Sequence, residues 1–217
     1  TWFLEDYAFF THGLIDLYEA TFDPRYLEEA RDLLKEAHRL FWDGSNGGFF
    51  LTGSDAEKLI SRSKELYDGA IPSGNSIAVL SLFRIGRFTT ERKFEDWGEQ
   101  TLSAFSSKLA QYPSGFSQMM ITLDFALGPA REIVIAGSEG DPSVQAIVRE
   151  IYSRFLPNKV VILHSLEAQA KKKIEALSPF TANQLPLGGR APVYVCKNYM
   201  CELPTTEIGK LKDLLEQ

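Results

Sequence analysis

Charge alternates between successive helix patterns over the first 128 residues, and this alternation constrains the fold more than any other feature of the sequence. Apolar spacings of three and four residues predict five helices there. The second and fourth carry many charged side chains, whereas the third contains only Arg84 and the fifth only Asp124. A helix with one charged face lies at a surface, and one that is apolar nearly all round is buried. The sequence therefore predicts two layers of helices that alternate along the chain.

Two arrangements fit this alternation, and periodicity alone does not choose between them. One is a helical toroid with an inner and an outer ring, and the other is an ordinary helical bundle. The second helix should begin at the Asp23-Pro24 N-cap, and the third, fourth and fifth are predicted at residues 72–85, 90–112 and 115–127. The predicted apolar faces are Tyr7, Phe10, Leu14 and Leu17 on the first helix, and Leu27, Ala30, Leu34, Ala37 and Phe41 on the second.

The pattern changes after Gly128-Pro129. β-Branched runs at residues 131–136 and 159–163 are typical of buried strands, and a helix capped by Asp141 separates them. This order predicts a βαβ unit, and a further strand is expected at residues 193–196. The predicted fold is therefore mainly α, with helical hairpins at residues 1–128 and a small α/β lobe of about three strands at residues 129–217.

Composition argues against several classes of function. The formal net charge of −6 disfavours a general nucleic-acid binder, which would carry a basic stripe. No apolar run approaches the ~20 residues that a membrane-spanning helix requires, so no membrane partner is expected. Two cysteines cannot build a disulfide scaffold. We therefore expect a cytoplasmic protein, and no pattern in the sequence calls for a cofactor.

The first residues of the chain indicate that this sequence is a piece of a longer protein. The sequence begins with Thr1 rather than Met and enters a helical pattern almost at once. A partial set of helices leaves apolar surfaces that must be covered. The chain is therefore predicted to form a homo-oligomer, or to pack against barrel helices that it does not itself contain.

Residues 68–76, DGAIPSGNS, place an acid before a helix N-terminus that carries small polar side chains. Helix N-termini offer free N–H groups and partial positive charge, which suit polar ligands. Ser73 and Asn75 are therefore candidate substrate-binding residues, and Asp68 is a candidate catalytic carboxylate. The alternative is that Asp68 and Ser73 only cap the helix.

Asp6 occupies the equivalent place on the first helix and is the second candidate catalytic carboxylate. If both helices point into one cavity, Asp6 and Asp68 can act as an acid and a base. Capping or ion pairing is again the alternative. Glu5 and Tyr7, which flank Asp6, are candidate substrate-binding residues.

Phe49 and His12 complete the candidate carbohydrate site. Phe49 follows the glycine-rich loop at residues 43–48, which is either a hairpin turn or a rim whose aromatic ring stacks on a sugar. His12 lies on the charge-poor first helix, either in the core or as a base. His38, on the charged second helix, is expected to be solvated. The three histidines lack ligand spacing, so no metal site is predicted.

Cys196 and Cys201 are five positions apart, which is not the spacing of a C-x-x-C redox pair. Two semi-buried thiols are the simpler interpretation, and a reversible disulfide with a redox role is the alternative. A zinc site would lack its other ligands.

Several blocks of the sequence, in order along nearly the whole chain, resemble the YyaL or spermatogenesis-associated thioredoxin-domain family. The most specific is D-G-x-x-P-S-x-N-S at residues 68–76. The other blocks are residues 4–8, 13–20, 40–43, 47–50, 133–137, 157–163 and 194–201.

The resemblance implies a fold and a site. Members of this family have a thioredoxin-like domain, then an (α/α) six-hairpin toroid similar to N-acylglucosamine 2-epimerases and glycosidases, then a C-terminal segment. This chain looks like the C-terminal portion. The resemblance implies a carbohydrate-binding or carbohydrate-processing barrel, with residues 5–7, Asp68, Ser73 and Asn75 at its rim and with the chain alone inactive. The alternative function is a non-catalytic helical scaffold that serves a thioredoxin-like domain or binds another partner.

Overall fold

The computed structural model describes residues 2–57, 60–197 and 200–216, so Thr1 and Gln217, the outer ends of the two predicted domains, lie outside the described residues. The chain forms two compact units. The helical unit comprises Thr1–Tyr18, Arg25–Gly86 and Glu91–Leu127, and the α/β unit comprises Glu19–Pro24, Arg87–Thr90 and Gly128–Gln217. The α/β unit thus includes two short segments that the sequence pattern assigned to the helical part.

Every helix predicted before residue 128 forms. The helices are α1 (Leu4–Thr21), α2 (Pro24–Phe41), α3 (Gly74–Thr89), α4 (Arg92–Gln111) and α5 (Ser117–Leu127). The predicted apolar face of α2 is confirmed, because all five of its residues are buried. Helix α3 is buried along almost its whole length, whereas α4 carries surface ion pairs between Arg92 and the carboxylates of Asp96 and Glu99. The predicted contrast is thus observed between α3 and α4. It is wrong for α5, which buries only Met119, Thr122 and Phe125 among its described residues, and the toroid stays a prediction.

The predicted apolar stripe of α1 is wrong at Phe10 and Leu17, although Leu14 is buried as predicted. Phe10 is 61% exposed and Leu17 is 40% exposed, and the buried face consists of Leu4, Ala8, Thr11, Leu14, Ile15 and Tyr18. Both sets have helical spacing, so periodicity does not distinguish them. Packing decides between them, because α3 approaches so closely that a Cβ on Gly74 would lie 3.1 Å from Leu4 Cγ.

The prediction that His38 is solvated is also wrong. Its imidazole stacks on the ring of Trp97 with 3.7 Å between centroids, and Trp42 lies 5.0 Å away. Burial between these indoles lowers the pKa of His38, since the charged form is less well solvated there. The charge pattern of α2 could not reveal this contact, because Trp97 belongs to α4.

The α/β unit contains the predicted βαβ unit. Its elements are β1 (Arg131–Gly137), α6 (Pro142–Tyr152), β2 (Lys159–Ser165), α7 (Ala168–Leu177), β3 (Val193–Lys197), β4 (Met200–Cys201) and α8 (Ile208–Glu216). Strands β1 and β2 are parallel, with α6 between them in sequence, and Asp141 caps α6 by accepting a hydrogen bond from Ser143 N. This part of the prediction is confirmed.

The sheet has the order β2-β1-β3-β4, with β3 antiparallel to both of its neighbours. Strand β4 was not predicted, because two residues are too few to show a period. The core of this unit packs the inner face of the sheet against α6 and α8, through Ile133, Ile135, Ile147, Val161 and Leu211 among others.

Candidate functional site

An open cleft in the helical unit lies where α1 meets the segment that leads into α3. We call it the carboxylate cleft, because two glutamates face it. Its volume is about 540 Å³, and it is lined by Glu5, Phe9, Glu65, Tyr67, Ile71, Pro72 and Ser73. Glu5 and Phe9 stand one turn apart on α1, so their side chains share a face. Phe9 and Tyr67 are 36% and 59% exposed, so both residues are accessible to a ligand.

Asn75 holds the segment that carries Glu65. Its side-chain amide is fully buried, and Oδ1 accepts a hydrogen bond from Phe49 N at 2.9 Å. Its Nδ2 donates to Phe49 O at 2.9 Å and to Glu65 O at 2.8 Å. The residue predicted to bind substrate therefore uses these three hydrogen bonds to connect α3 to two loops, and it positions the wall of the cleft.

Asp68 is a capping residue and does not line the carboxylate cleft. Its Oδ1 accepts a hydrogen bond from Ser73 N at 2.9 Å, and its Oδ2 accepts one from Met119 N at 3.0 Å. The side chain is 7% exposed. The bond from Ser73 N, just before α3, is the capping arrangement that the sequence left open. The bond from Met119 N, in the first turn of α5, was not predicted.

Asp6 lies in a different cleft. Its Oδ2 accepts a hydrogen bond from Phe3 N at 2.8 Å. With Trp2, Tyr7, Phe10 and Leu33 it lines what we call the α1–α2 groove, whose volume is about 440 Å³. Of the predicted site residues, Asp6 and Tyr7 therefore line one groove and Glu5 and Ser73 line another. Asp68 is among the lining residues of neither of these two clefts.

Ser73 reaches the carboxylate cleft from the start of α3. Its hydroxyl lies 2.9 Å from Ser76 Oγ and accepts a hydrogen bond from Ser76 N. The hydroxyl is therefore engaged in capping α3, while other atoms of Ser73 line the cleft.

Phe49 is 1% exposed, and its ring packs edge-on against Trp42 with 5.1 Å between centroids. The loop before it is a closed hairpin rather than a binding rim. Lys64 Nζ lies 2.6 Å from Asp43 Oδ2. This ammonium group, with hydrogen bonds from the loop, holds the pKa of Asp43 well below its usual range. The aromatic platform of the cleft is therefore formed by Phe9 and Tyr67.

His12 takes part in a charged cluster on α1. Its Nε2 lies 3.7 Å from Asp16 Oδ2, and Asp16 Oδ1 accepts a hydrogen bond from Arg84 at 2.7 Å. Burial, and then the charge of Arg84, lower the pKa of His12. His12 is not among the residues that line the carboxylate cleft or the α1–α2 groove in the described part of the chain.

Sequence reasoning missed Glu65, Phe9 and Tyr67. The signal was present in the alternation of Glu65 and Tyr67 just before the 68–76 block, because alternate residues of an extended segment point the same way. Their meeting with Glu5 depends on tertiary contacts. Across residues 2–57, 60–197 and 200–216, no three His, Cys, Asp or Glu side chains group so that they could hold a metal ion.

In the α/β unit, the two cysteines form a disulfide between β3 and β4. The interpretation as two thiols is therefore wrong, the disulfide of the alternative is present, and its redox role stays a prediction. Asn198 and Tyr199, which the family resemblance included, lie outside the described residues.

These features define the class as a mainly helical protein with an α/β lobe and an open carboxylate cleft. No family model matches the chain. It is similar to spermatogenesis-associated protein 20 of Homo sapiens, with 35% identity over 98% of the chain and 27% of the relative. The same protein of Mus musculus is 34% identical over 99% of the chain and 27% of the relative.

This similarity confirms the resemblance to the spermatogenesis-associated protein 20 family over nearly the whole chain. The chain spans about a quarter of the length of the curated relatives that it matches, at 27% of each. Among the described helices, none combines the length and the apolar character needed to cross a membrane.

Proposed function

We propose that the carboxylate cleft binds a carbohydrate and that the helical unit is part of an (α/α) toroid that processes it. The observation that carries this proposal is the joint presence of Glu5, Glu65, Phe9 and Tyr67 in one cleft of about 540 Å³. Carboxylates accept hydrogen bonds from sugar hydroxyls, and exposed rings cover the apolar face of a sugar.

Paired carboxylates also supply the chemistry of glycoside hydrolysis, in which one donates a proton and the other acts as base or nucleophile. Glu5 and Glu65 line one cavity, whereas Asp6 and Asp68 do not. The proposal therefore assigns any acid and base roles to Glu5 and Glu65, and structural roles to Asp68 and Asn75. We propose this reaction for the whole protein, because the chain spans about a quarter of the length of its relatives.

Ligand binding tests the proposal through the melting temperature. A ligand that binds only the folded state raises the melting temperature by mass action. We expect a hexose, an N-acetylhexosamine or a disaccharide to raise it, both in this chain and in a protein of the relatives' length. Glu65→Gln and Tyr67→Ala should each weaken binding by about tenfold or more, which corresponds to about 1.4 kcal/mol.

Glu139→Gln is the matched control, because Glu139 is exposed in the α/β unit and the substitution is chemically the same. It should leave binding unchanged. A shift that persists in both cleft variants would place the ligand elsewhere, and the absence of any shift would contradict carbohydrate binding.

A second function, a helical scaffold, is favoured by two apolar grooves of the helical unit. One is the α1–α2 groove, where Trp2 is 67% and Phe10 is 61% exposed. The other lies beside α4 and α5, has a volume of about 320 Å³ and is lined by Leu102, Ser106, Leu109, Ala110, Pro113, Met120 and Leu123. Exposed apolar surfaces of this kind mark places where other helices pack. In this chain on its own, we propose that a second copy packs there.

Phe10→Asp is expected to convert an oligomer into a monomer, because it places a charge in an apolar contact. Sedimentation equilibrium measures the change. Phe155→Asp is the matched control, since Phe155 is 92% exposed and lies in the α/β unit. A wild-type chain that sediments as a monomer at all concentrations would contradict self-association.

A further inference from the structure

The disulfide between Cys196 and Cys201 is asymmetric in its access to solvent. The two residues are opposite each other in the antiparallel pairing of β3 and β4. Cys196 is 0% exposed, whereas Cys201 is exposed. Cys201 also lines a cleft of about 570 Å³ in the α/β unit, together with Phe180, Gln184, Tyr194 and Pro204. Cys201 is therefore the cysteine of the pair that a reactant can approach, and Cys196 is the protected one.

Gln184 presents its amide to both sulfur atoms. Its Nε2 lies 3.6 Å from Cys201 Sγ and 3.9 Å from Cys196 Sγ. The residue is 6% exposed, and its Oε1 is buried without a hydrogen-bond partner among the described residues. Buried polar atoms are usually paired, so Oε1 is an acceptor for a donor that the oxidised state does not supply.

A hydrogen-bond chain fixes Gln184 at this position. Its backbone carbonyl lies 2.8 Å from His164 Nδ1, and His164 Nε2 lies 3.0 Å from Glu175 Oε1. Gln184 N also donates to Thr181 O at 2.8 Å. His164 is fully buried. Both the N–H and the carbonyl group of Gln184 are therefore hydrogen-bonded, and this fixes the backbone from which the side-chain amide extends.

We propose that this cleft is a thiol–disulfide exchange site whose substrate is a dithiol. A thiolate of the dithiol attacks Cys201 Sγ, a bond forms between these two sulfur atoms, and the Cys201–Cys196 bond breaks. Cys196 Sγ leaves with the electron pair and takes up a proton from solvent. The second thiol of the dithiol loses its proton and attacks the substrate sulfur of the mixed disulfide, and Cys201 Sγ leaves with the electron pair and takes up a proton. The substrate is thereby oxidised to a disulfide, and the protein holds two thiols.

Gln184 can stabilise the thiolate that leaves, while the direction of attack follows from the exposure of Cys201 and the burial of Cys196. The side-chain N–H group of Gln184 lies within reach of the sulfur that leaves, and a thiolate is a stronger acceptor than a disulfide sulfur because it carries a charge. After reduction, the unpaired Oε1 can accept a hydrogen bond from an S–H group, which the oxidised state does not offer. The amide thus has a partner in both redox states.

Mapping the adduct of a monothiol tests which sulfur is attacked. The oxidised, folded chain is treated with reduced glutathione, quenched in acid, unfolded and alkylated. Cleavage after Lys197 then separates the two cysteines for mass spectrometry. We expect glutathione on Cys201 and the alkyl group on Cys196. Glutathione on Cys196, or reduction only at the rate of global unfolding, would overturn the proposal.

Gln184→Met tests the role of the amide and retains the shape of the side chain. We expect reduction by dithiothreitol to slow by about tenfold, and the thiolate absorbance of the reduced protein to appear at higher pH than in the wild type. Gln145→Met, an exposed position on α6, is the matched control and should change neither quantity. An unchanged pH profile in folded Gln184→Met would contradict a role for this amide in stabilising the thiolate.

Discussion

Asn75→Ala is expected to lower the free energy of unfolding by about 3 to 5 kcal/mol, because it removes hydrogen bonds from two buried backbone groups and one partly buried carbonyl, and a buried group costs about 1–3 kcal/mol when left unpaired. These groups are Phe49 N, Phe49 O and Glu65 O. Denaturant unfolding measures the change. The same variant should weaken carbohydrate binding, since the backbone of Glu65 loses its anchor.

Asn46→Ala is the matched control for this prediction. Asn46 is exposed and its side chain donates to Asp43 Oδ2 at 3.1 Å, so its loss should cost about 1 kcal/mol or less. An Asn75→Ala protein that is as stable as Asn46→Ala would show that the buried amide does not hold the loops together.

Asp68→Asn should be the second most damaging substitution, with a loss of about 2 to 4 kcal/mol. Asp68 accepts hydrogen bonds from two backbone N–H groups, of Ser73 and Met119. An asparagine has one acceptor oxygen, so its NH2 group must face one of these donors. Thermal and denaturant unfolding both report the loss.

Two comparisons separate this structural role from a catalytic one. Asp213→Asn, at an exposed position on α8, should leave the stability unchanged. Glu65→Gln should leave the stability nearly unchanged and weaken ligand binding. If Asp68→Asn instead leaves the stability intact and abolishes binding or turnover, Asp68 is a ligand-facing carboxylate and the capping role is wrong.

Much of the secondary structure could be predicted because it depends on local pattern. The buried face of α2 follows from five apolar residues at helical spacing that share one face with no competing stripe. The βαβ unit follows from two β-branched runs separated by a helix whose cap, Asp141, is adjacent in sequence. In each case the interactions that choose the conformation lie within a few residues.

The candidate site could be predicted only in part, because several side chains have two possible partners. The 68–76 block was correctly identified as the start of a helix with polar capping residues. Whether Asp68 faces a cavity or caps α5 depends on Met119, which is 51 residues away. Glu65 was missed for the same reason, since only the fold brings it into a cleft with Glu5.

The sequence by itself determined the helices, the longer strands and the family resemblance, since spacing, capping and motif order are properties of neighbouring residues. Tertiary structure alone decided which face of α1 is buried, which carboxylates share a cleft and which cysteine is exposed. These choices depend on contacts between distant segments, such as the approach of Gly74 to Leu4 and the pairing of β3 with β4. Both arrangements of each side chain satisfy the local pattern, and long-range packing selects the one that buries more apolar surface and pairs more polar groups.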